Sequence, residues 1–181
     1  MPRDWEAFYS AGGSIGIEPV FVVRHYAHLL PPGPFLDLAG GTGRNAIYLA
    51  RGGREVLLLE RSRAAVAAAR AAAGGLPLTA RVWDLEKGLP EGLAGFAGVL
   101  MSYYVQRSLL PHFPALLVNG GLALVEGFGR AEAKRRGRAG SPHYWEEGEL
   151  LLPPPGMRLL AGGEGAWGGR CRQWAVWQKV P

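Results

Sequence analysis

The chain has 181 residues, enough for one domain with a substantial core and short for two. Apolar residues make up 48% and charged residues 19%; no apolar run is long enough to span a membrane, and MPRDWEAFYS has no signal-peptide core, so a cytoplasmic location is expected. A single cysteine, Cys171, excludes an intramolecular disulfide, four scattered histidines lack metal-ligand spacing, and the net charge of +5 rests on seventeen arginines against three lysines.

In chain order, two helices are predicted first, over Asp4–Ala11 and Glu18–Leu30, the second with proline in its first turn and ended by LLPPGP. Strands and helices then alternate: FLDLA, a helix over Arg44–Arg51, REVLLLE, a helix over Ser62–Ala73 with Ser62 as N-cap, LTARVW, AGVLMS, a helix over Ser108–Val118, and GLALVEGF. Such alternation with near-continuous apolar strands predicts a parallel sheet covered on both faces. The tail MRLLAGGEGAWGGRCRQWAVWQKV reads as two strands about a glycine-rich turn, and a hairpin joins only antiparallel strands. The predicted fold is therefore α/β, a doubly wound, Rossmann-like, seven-stranded and mostly parallel sheet finished by a C-terminal antiparallel hairpin. Residues 1–181 form one domain, with 1–33 a helical cap and 34–181 the sheet-and-helix core. The basic run KRRGR, Lys134–Arg138, reads as a solvated helix end, with a phosphate-binding patch as the competing assignment.

The informative stretch is FLDLAGGTGRNAIYLA, residues 35–50: a strand, a glycine turn and a helix. A phosphate-binding P-loop needs GxxxxGK[ST], and no lysine follows these glycines. Gly41-Thr42-Gly43-Arg44-Asn45-Ala46 does fit the dinucleotide pattern GxGxxA, and Glu60 ends the next strand where a ribose-binding acid belongs. Asp37 separates the two remaining ligand classes, because a carboxylate ahead of the turn repels a pyrophosphate but welcomes an ammonium group. S-adenosylmethionine offers an amino acid end, a sulfonium, a ribose diol and an adenine. Asp37 suits its ammonium, the turn N–H groups its carboxylate, Glu60 the ribose hydroxyls, and Asp84, in VWDLEKGLP, the adenine amino group, with Leu85 as an N–H donor or apolar wall. Each acid has a plain structural role as its alternative: a satisfied strand end, a surface charge pairing Arg61 or Arg63, and a turn cap.

With these residues in place, the chain resembles the class I S-adenosylmethionine-dependent methyltransferases, and within them the small bacterial tellurite-resistance-type branch. FLDLAGGTGRNA is similar to the family's first motif, VLLLERS to its ribose-acid strand, WDLEKGLPEG to its adenine loop, and SPHYWEEGELL to the branch's proline loop and GEL turn. WEAFYSAG is similar to a segment that closes over the methionine end. The resemblance implies cofactor contacts from Tyr9, Asp37, Ala39, Gly40, Gly41, Gly43, Asn45, Glu60, Asp84, Leu85 and Ser102. Two positions depart from the pattern. Ala39 replaces the first glycine, which suggests either a backbone angle that tolerates a Cβ or a slightly shifted cofactor, and Phe8 replaces an arginine whose role Arg24 is a candidate to assume.

Methyl transfer needs alignment and water exclusion and no enzyme nucleophile, so no catalytic residue is assigned. Met101-Ser102-Tyr103-Tyr104 ends the fourth strand in place of the Asn/Asp-Pro-Pro-aromatic sequence of amine methyltransferases, which favours a small acceptor: a thiol, a chalcogen oxyanion or another metabolite. Tyr9, Tyr103 and Tyr104 are candidates to flank a cationic centre. Arg24, Tyr104, Arg107 and His143 are the substrate candidates; no metal, membrane or nucleic-acid partner is expected. An NAD(P)-binding oxidoreductase, an RNA-modifying methyltransferase and a non-catalytic cofactor-binding module remain as alternatives.

Overall fold

The apolar run FLDL becomes β1 (Phe35–Leu38), buried at every position, in a computed structural model that describes residues 4–181. It is flanked by β2 (Val56–Glu60) and β4 (Phe96–Ser102), both parallel to it. Beyond β2 lies β3 (Leu78–Val82), and beyond β4 lies β5 (Leu117–Phe128), again parallel. The hairpin β6 (Met157–Trp167) and β7 (Arg170–Lys179) completes one seven-stranded sheet of order β3-β2-β1-β4-β5-β7-β6. Only β7 runs against its neighbours, as the hairpin argument requires. Strand order reverses between β1 and β4, and the carboxyl ends of these two strands are the position at which open α/β sheets bind ligands.

Two helices match their predicted spans closely. α3 (Arg44–Arg51) starts directly after Gly43, and α4 (Arg63–Ala73) has Ser62 accepting the Ala65 N–H at 3.1 Å as its cap. With α2 (Phe21–Tyr26), they cover one face through Val22, Val23, Ala46, Leu49, Val66 and Ala69, packed on Leu58, Leu100 and Val176. The other face is covered by residues 107–116 and 144–151, including Phe113 and Trp145.

Three predicted helices are shorter than expected. α1 spans Trp5–Ser10, with Asp4 as its N-cap. α2 begins only at Phe21, because the Val20 N–H goes to the buried Asn45 Oδ1 at 2.9 Å and Val20 itself is extended. The Ser108–Val118 helix breaks at its prolines into a 3-10 turn (Arg107–His112) and a one-turn α5 (Phe113–Leu116), and β5 starts at Leu117. A further short helix, α6 (Arg130–Arg135), carries the front of the basic run. No helix among the described residues is long and apolar enough to cross a membrane.

Candidate functional site

The glycine turn sits at the reversal point of the sheet and is built from left-handed backbone. Ala39 (φ +54°), Gly41 (φ +56°) and Gly43 (φ +85°) all lie in the region that favours glycine. At Ala39 the expected tolerant backbone angle is corrected: the angle is one a Cβ disfavours, and the chain carries that strain at the turn. A Cβ on Gly40 would lie 2.7 Å from Leu58 Cγ and 2.9 Å from Asp37 Oδ2, so this position needs glycine for close approach. Tyr9 of α1 lies over the turn, its hydroxyl 2.7 Å from where a Gly41 Cβ would be.

Three of the turn N–H groups, those of Gly40, Gly41 and Gly43, are engaged within the protein. Gly40 donates to Leu59 O at 3.3 Å and Gly43 to Gly40 O at 3.0 Å. Gly41 donates to Glu60 Oε2 at 3.0 Å. The Ser62 N–H meets Glu60 Oε1 at 2.9 Å, so two backbone donors aim the Glu60 carboxylate at the turn. Each of its oxygens keeps a further lone pair for a hydroxyl.

Asp37 is fully buried, and neither carboxyl oxygen has a hydrogen-bond partner. Desolvation raises its pKa to about 7, with the Arg44 charge and, least, the nearby Ala46 backbone N–H opposing the shift and the Glu60 charge adding to it; the Ala46 group does not reach hydrogen-bond geometry. A buried, unsatisfied acid at this point is expensive unless a partner arrives from outside the chain.

Asp84 and Leu85 lie on the loop after β3. Asp84 is half-buried and accepts the Glu86 N–H at 3.2 Å, a turn-capping role that leaves its other oxygen available. The Leu85 carbonyl accepts Gln106 Nε2 at 2.9 Å, and Gln106 in turn accepts the Tyr104 hydroxyl. Tyr104 thus belongs to the β3 loop, on the opposite side of the sheet from Tyr103. Burial, then Glu86 and Asp84, push its hydroxyl up to about 12. Asn45 accepts the Val20 N–H and donates to Ser102 Oγ at 3.2 Å, tying the segment before α2 to the end of β4.

The remaining substrate candidates fare differently. Arg107 is a correction: its guanidinium chelates Glu149 (Nε–Oε1 2.6 Å, Nη2–Oε2 2.7 Å) and donates to the carbonyls of Pro142 and Tyr144, which staples residues 142–149. Arg24 is exposed on α2 and pairs Glu18 at 3.9 Å, so it is not brought to the turn. His143 is exposed on that stapled loop. Among the described residues no cluster of His, Cys, Asp or Glu is arranged to hold a metal ion.

Two features went unread in the sequence. Glu126 is buried near the end of β5, where it accepts the Val22 N–H at 3.1 Å and the Tyr103 hydroxyl at 2.7 Å. Its signal was a lone acid in the apolar run LALVEGF, on the same strand face as Leu122 and Leu124. Glu132 on α6 is buried too, and Arg135 (3.0 Å) and Arg136 both pair with it, so the KRRGR run is partly an internal ion cluster. Hydrogen bonds from Arg135, then Arg136, hold the Glu132 carboxyl down at about 2 against the effect of burial.

No protein-family model matches the sequence, and no curated protein matches it. Solved structures do match. A S-adenosylmethionine-dependent methyltransferase of Methanosarcina mazei is 15% identical at a TM-score of 0.71, over 90% of this chain and 99% of that one. TehB from Haemophilus influenzae is 16% identical at 0.72, over 97% and 67%. The [4+2]-cyclase SpnF is 15% identical at 0.73, over 98% and 93%. With its 3-2-1-4-5-7-6 sheet and reversed last strand, the chain has the Rossmann-like fold of the S-adenosylmethionine-dependent methyltransferases.

Proposed function

We propose that this protein is a S-adenosylmethionine-dependent methyltransferase acting on a small molecule, in a single domain whose segment before β1 caps the cofactor cleft. The observation that carries the reading is Asp37: a buried carboxyl group with no hydrogen-bond partner, beside the glycine turn and close enough to Glu60 to feel its charge. An ammonium group would neutralise it, whereas a pyrophosphate would meet two carboxylates, which disfavours the NAD(P) alternative. When bound, the cofactor supplies an electrophilic methyl group on a cationic sulfur.

The chain's own residues hold and enclose that group. Asp37 would take the ammonium, Glu60 the ribose hydroxyls through its remaining lone pairs, and Asp84 the adenine amino group, with buried Leu85 as an apolar wall. Tyr9 closes over Gly41 and excludes water from the amino acid end. Asn45 and Ser102 position the segment before α2 rather than supply chemistry. Similarity to TehB together with the GRNA and GEL sequences supports the tellurite-resistance-type branch.

Because the same fold serves a [4+2]-cyclase, reaction class has to be tested separately from cofactor binding. Calorimetry with S-adenosylmethionine, S-adenosylhomocysteine and NAD tests the cofactor. Saturable binding of the sulfur ligands is expected, and NAD binding without a response to either of them would overturn the proposal. Transfer of labelled methyl to a thiol, selenite and metabolite panel tests the reaction.

A further inference from the structure

The loop after β3 is held from two directions. Within the loop, the Trp83 indole donates to Gly88 O at 2.8 Å, and Lys87 and Gly88 donate back to Asp84 O and Leu85 O at 3.1 and 3.0 Å across a 3-10 turn (Leu85–Lys87). From the β4 side comes Gln106, which precedes the 3-10 turn Arg107–His112 and lies 21 residues further along the chain than Leu85. Its Nε2 donates to the second lone pair of Leu85 O at 2.9 Å.

Chemistry fixes which way the Gln106 amide points. A backbone carbonyl only accepts, so the amide nitrogen faces Leu85 and the amide oxygen faces Tyr104, whose hydroxyl must then donate. Burial first, then the charges of Glu86 and Asp84, push that hydroxyl up to about 12, so it keeps the proton it donates.

The carbonyl that Gln106 holds is one end of a planar peptide unit. At the other end is the Glu86 N–H, which donates to Asp84 Oδ1 at 3.2 Å. Planarity makes the two bonds interdependent, because fixing the Leu85 carbonyl fixes the direction of the Glu86 N–H. Three hydrogen bonds therefore run in series from Tyr104 through Gln106 and the Leu85–Glu86 peptide to the Asp84 carboxylate. Asp84 is half-buried on a loop, whereas Tyr104 packs against the core at the end of β4, so the series ties a carboxylate of the loop to the sheet.

We propose that Gln106 is a positioning residue for the base of the cofactor: through the Leu85–Glu86 peptide it aims Asp84, and so makes the site select a 6-aminopurine over a 6-oxopurine. This assignment rests on the methyltransferase reading, in which Asp84 takes the adenine amino group, and adds to it the residue that sets base specificity. An amino group donates to a carboxylate oxygen, whereas a 6-oxo group turns a second acceptor towards it. A carboxylate free to swing into solvent would escape that clash; one held by its peptide does not. Tyr104 acts one step further back, by orienting the Gln106 amide.

The test is calorimetry on the full chain with S-adenosylhomocysteine and S-inosylhomocysteine, which differ in the 6-substituent and N1 protonation of the base. The parent is expected to prefer the adenosyl ligand by roughly tenfold or more. Gln106→Leu should shrink that preference by about threefold or more, and Tyr104→Phe by less. In an Asp84→Ala background, Gln106→Leu should leave the remaining preference unchanged, since its effect passes through that carboxylate. Equal weakening of both ligands by Gln106→Leu is the mark of a loop brace alone and overturns the proposal. So does a preference that Gln106→Leu leaves intact, or reduces as much without Asp84 as with it. Should Gln106→Leu fail to fold, Tyr104→Phe carries the test, and an unchanged preference there overturns the proposal. A parent that binds both ligands equally overturns the base assignment while cofactor binding stands. Absence of S-adenosylhomocysteine binding overturns the methyltransferase reading and this assignment with it.

Discussion

Tyr103 and Glu126 hold each other twice: the Tyr103 N–H donates to the Glu126 carbonyl at 2.7 Å, and its hydroxyl donates to the Glu126 carboxylate, also at 2.7 Å. The pair fixes Tyr103 in a left-handed conformation (φ +54°) that a bulky side chain adopts only when its surroundings over-determine it. Burial first, then the Glu126 charge, raise the tyrosine pKa, so the hydroxyl keeps its proton and remains the donor.

Tyr103→Phe leaves one oxygen of a buried carboxylate without its donor and should destabilise the fold by about 1–3 kcal/mol. Glu126→Gln keeps an acceptor in place and should cost less. Urea unfolding of the two variants checks the order, and a Tyr103→Phe midpoint equal to that of the parent would show that the hydroxyl bond contributes nothing.

Asp37 makes cofactor binding proton-linked. Its carboxyl group is mostly protonated below its raised pKa of about 7 and must ionise to meet an ammonium. At pH 6 about one proton should be released on binding S-adenosylhomocysteine, and at pH 9 almost none. Calorimetry in two buffers of different ionisation enthalpy measures this directly. In the free protein the sign is opposite to that of a paired acid: stability falls as pH rises from the ordinary aspartate value of 3.8 through about 7. Asp37→Asn should therefore raise the melting temperature at pH 8 while weakening the cofactor.

Glu60→Ala and Asp84→Ala should each weaken cofactor binding by about 1–3 kcal/mol. Glu60→Ala should also lower stability, since Gly41 and Ser62 lose their acceptor, whereas Asp84→Ala removes one turn cap. Unchanged affinity in both variants would move the cofactor elsewhere.

Ala39→Gly should stabilise the protein, because it relieves a left-handed angle at a residue carrying a Cβ; the expected gain is about 1 kcal/mol less the added entropy of the unfolded chain. A drop in melting temperature would mean that the methyl group packs more favourably than the strain costs.

Glu132 should give the protein an acid limb. Its carboxyl lies at about 2 in the fold against the ordinary glutamate value of 4.5, so its contribution is complete above 4.5 and lost as pH falls from about 4.5 towards 2. Glu132→Gln should flatten the melting curve across that window. A parallel loss in both proteins would assign the acid limb to other carboxylates.

The parallel strands, α3 and α4 were legible because apolar continuity, a glycine turn and a serine cap all act locally. Helix lengths were not: α2 is shortened by acceptors from Asn45 and Glu126, 25 and 104 residues away in sequence. Arg107 illustrates the same limit, for a loop arginine looks identical in sequence whether it awaits an anion or clamps Glu149. Asp37 was legible in position, since it precedes the glycines, but its lack of any partner is a property of burial that only the folded chain reveals.

The lone reversed strand sets how tolerant the C-terminus can be. Because β7 returns antiparallel, its beginning, not its end, arrives where the other strands finish, and residues far along the chain furnish one side of the cleft. Deleting one of the turn glycines, Gly168 or Gly169, would leave β7 in register on β5 and slip the edge strand β6 by one residue, exchanging its two faces. A shortened turn would thus turn over the last strand of the sheet while leaving the glycine-turn end of the molecule untouched.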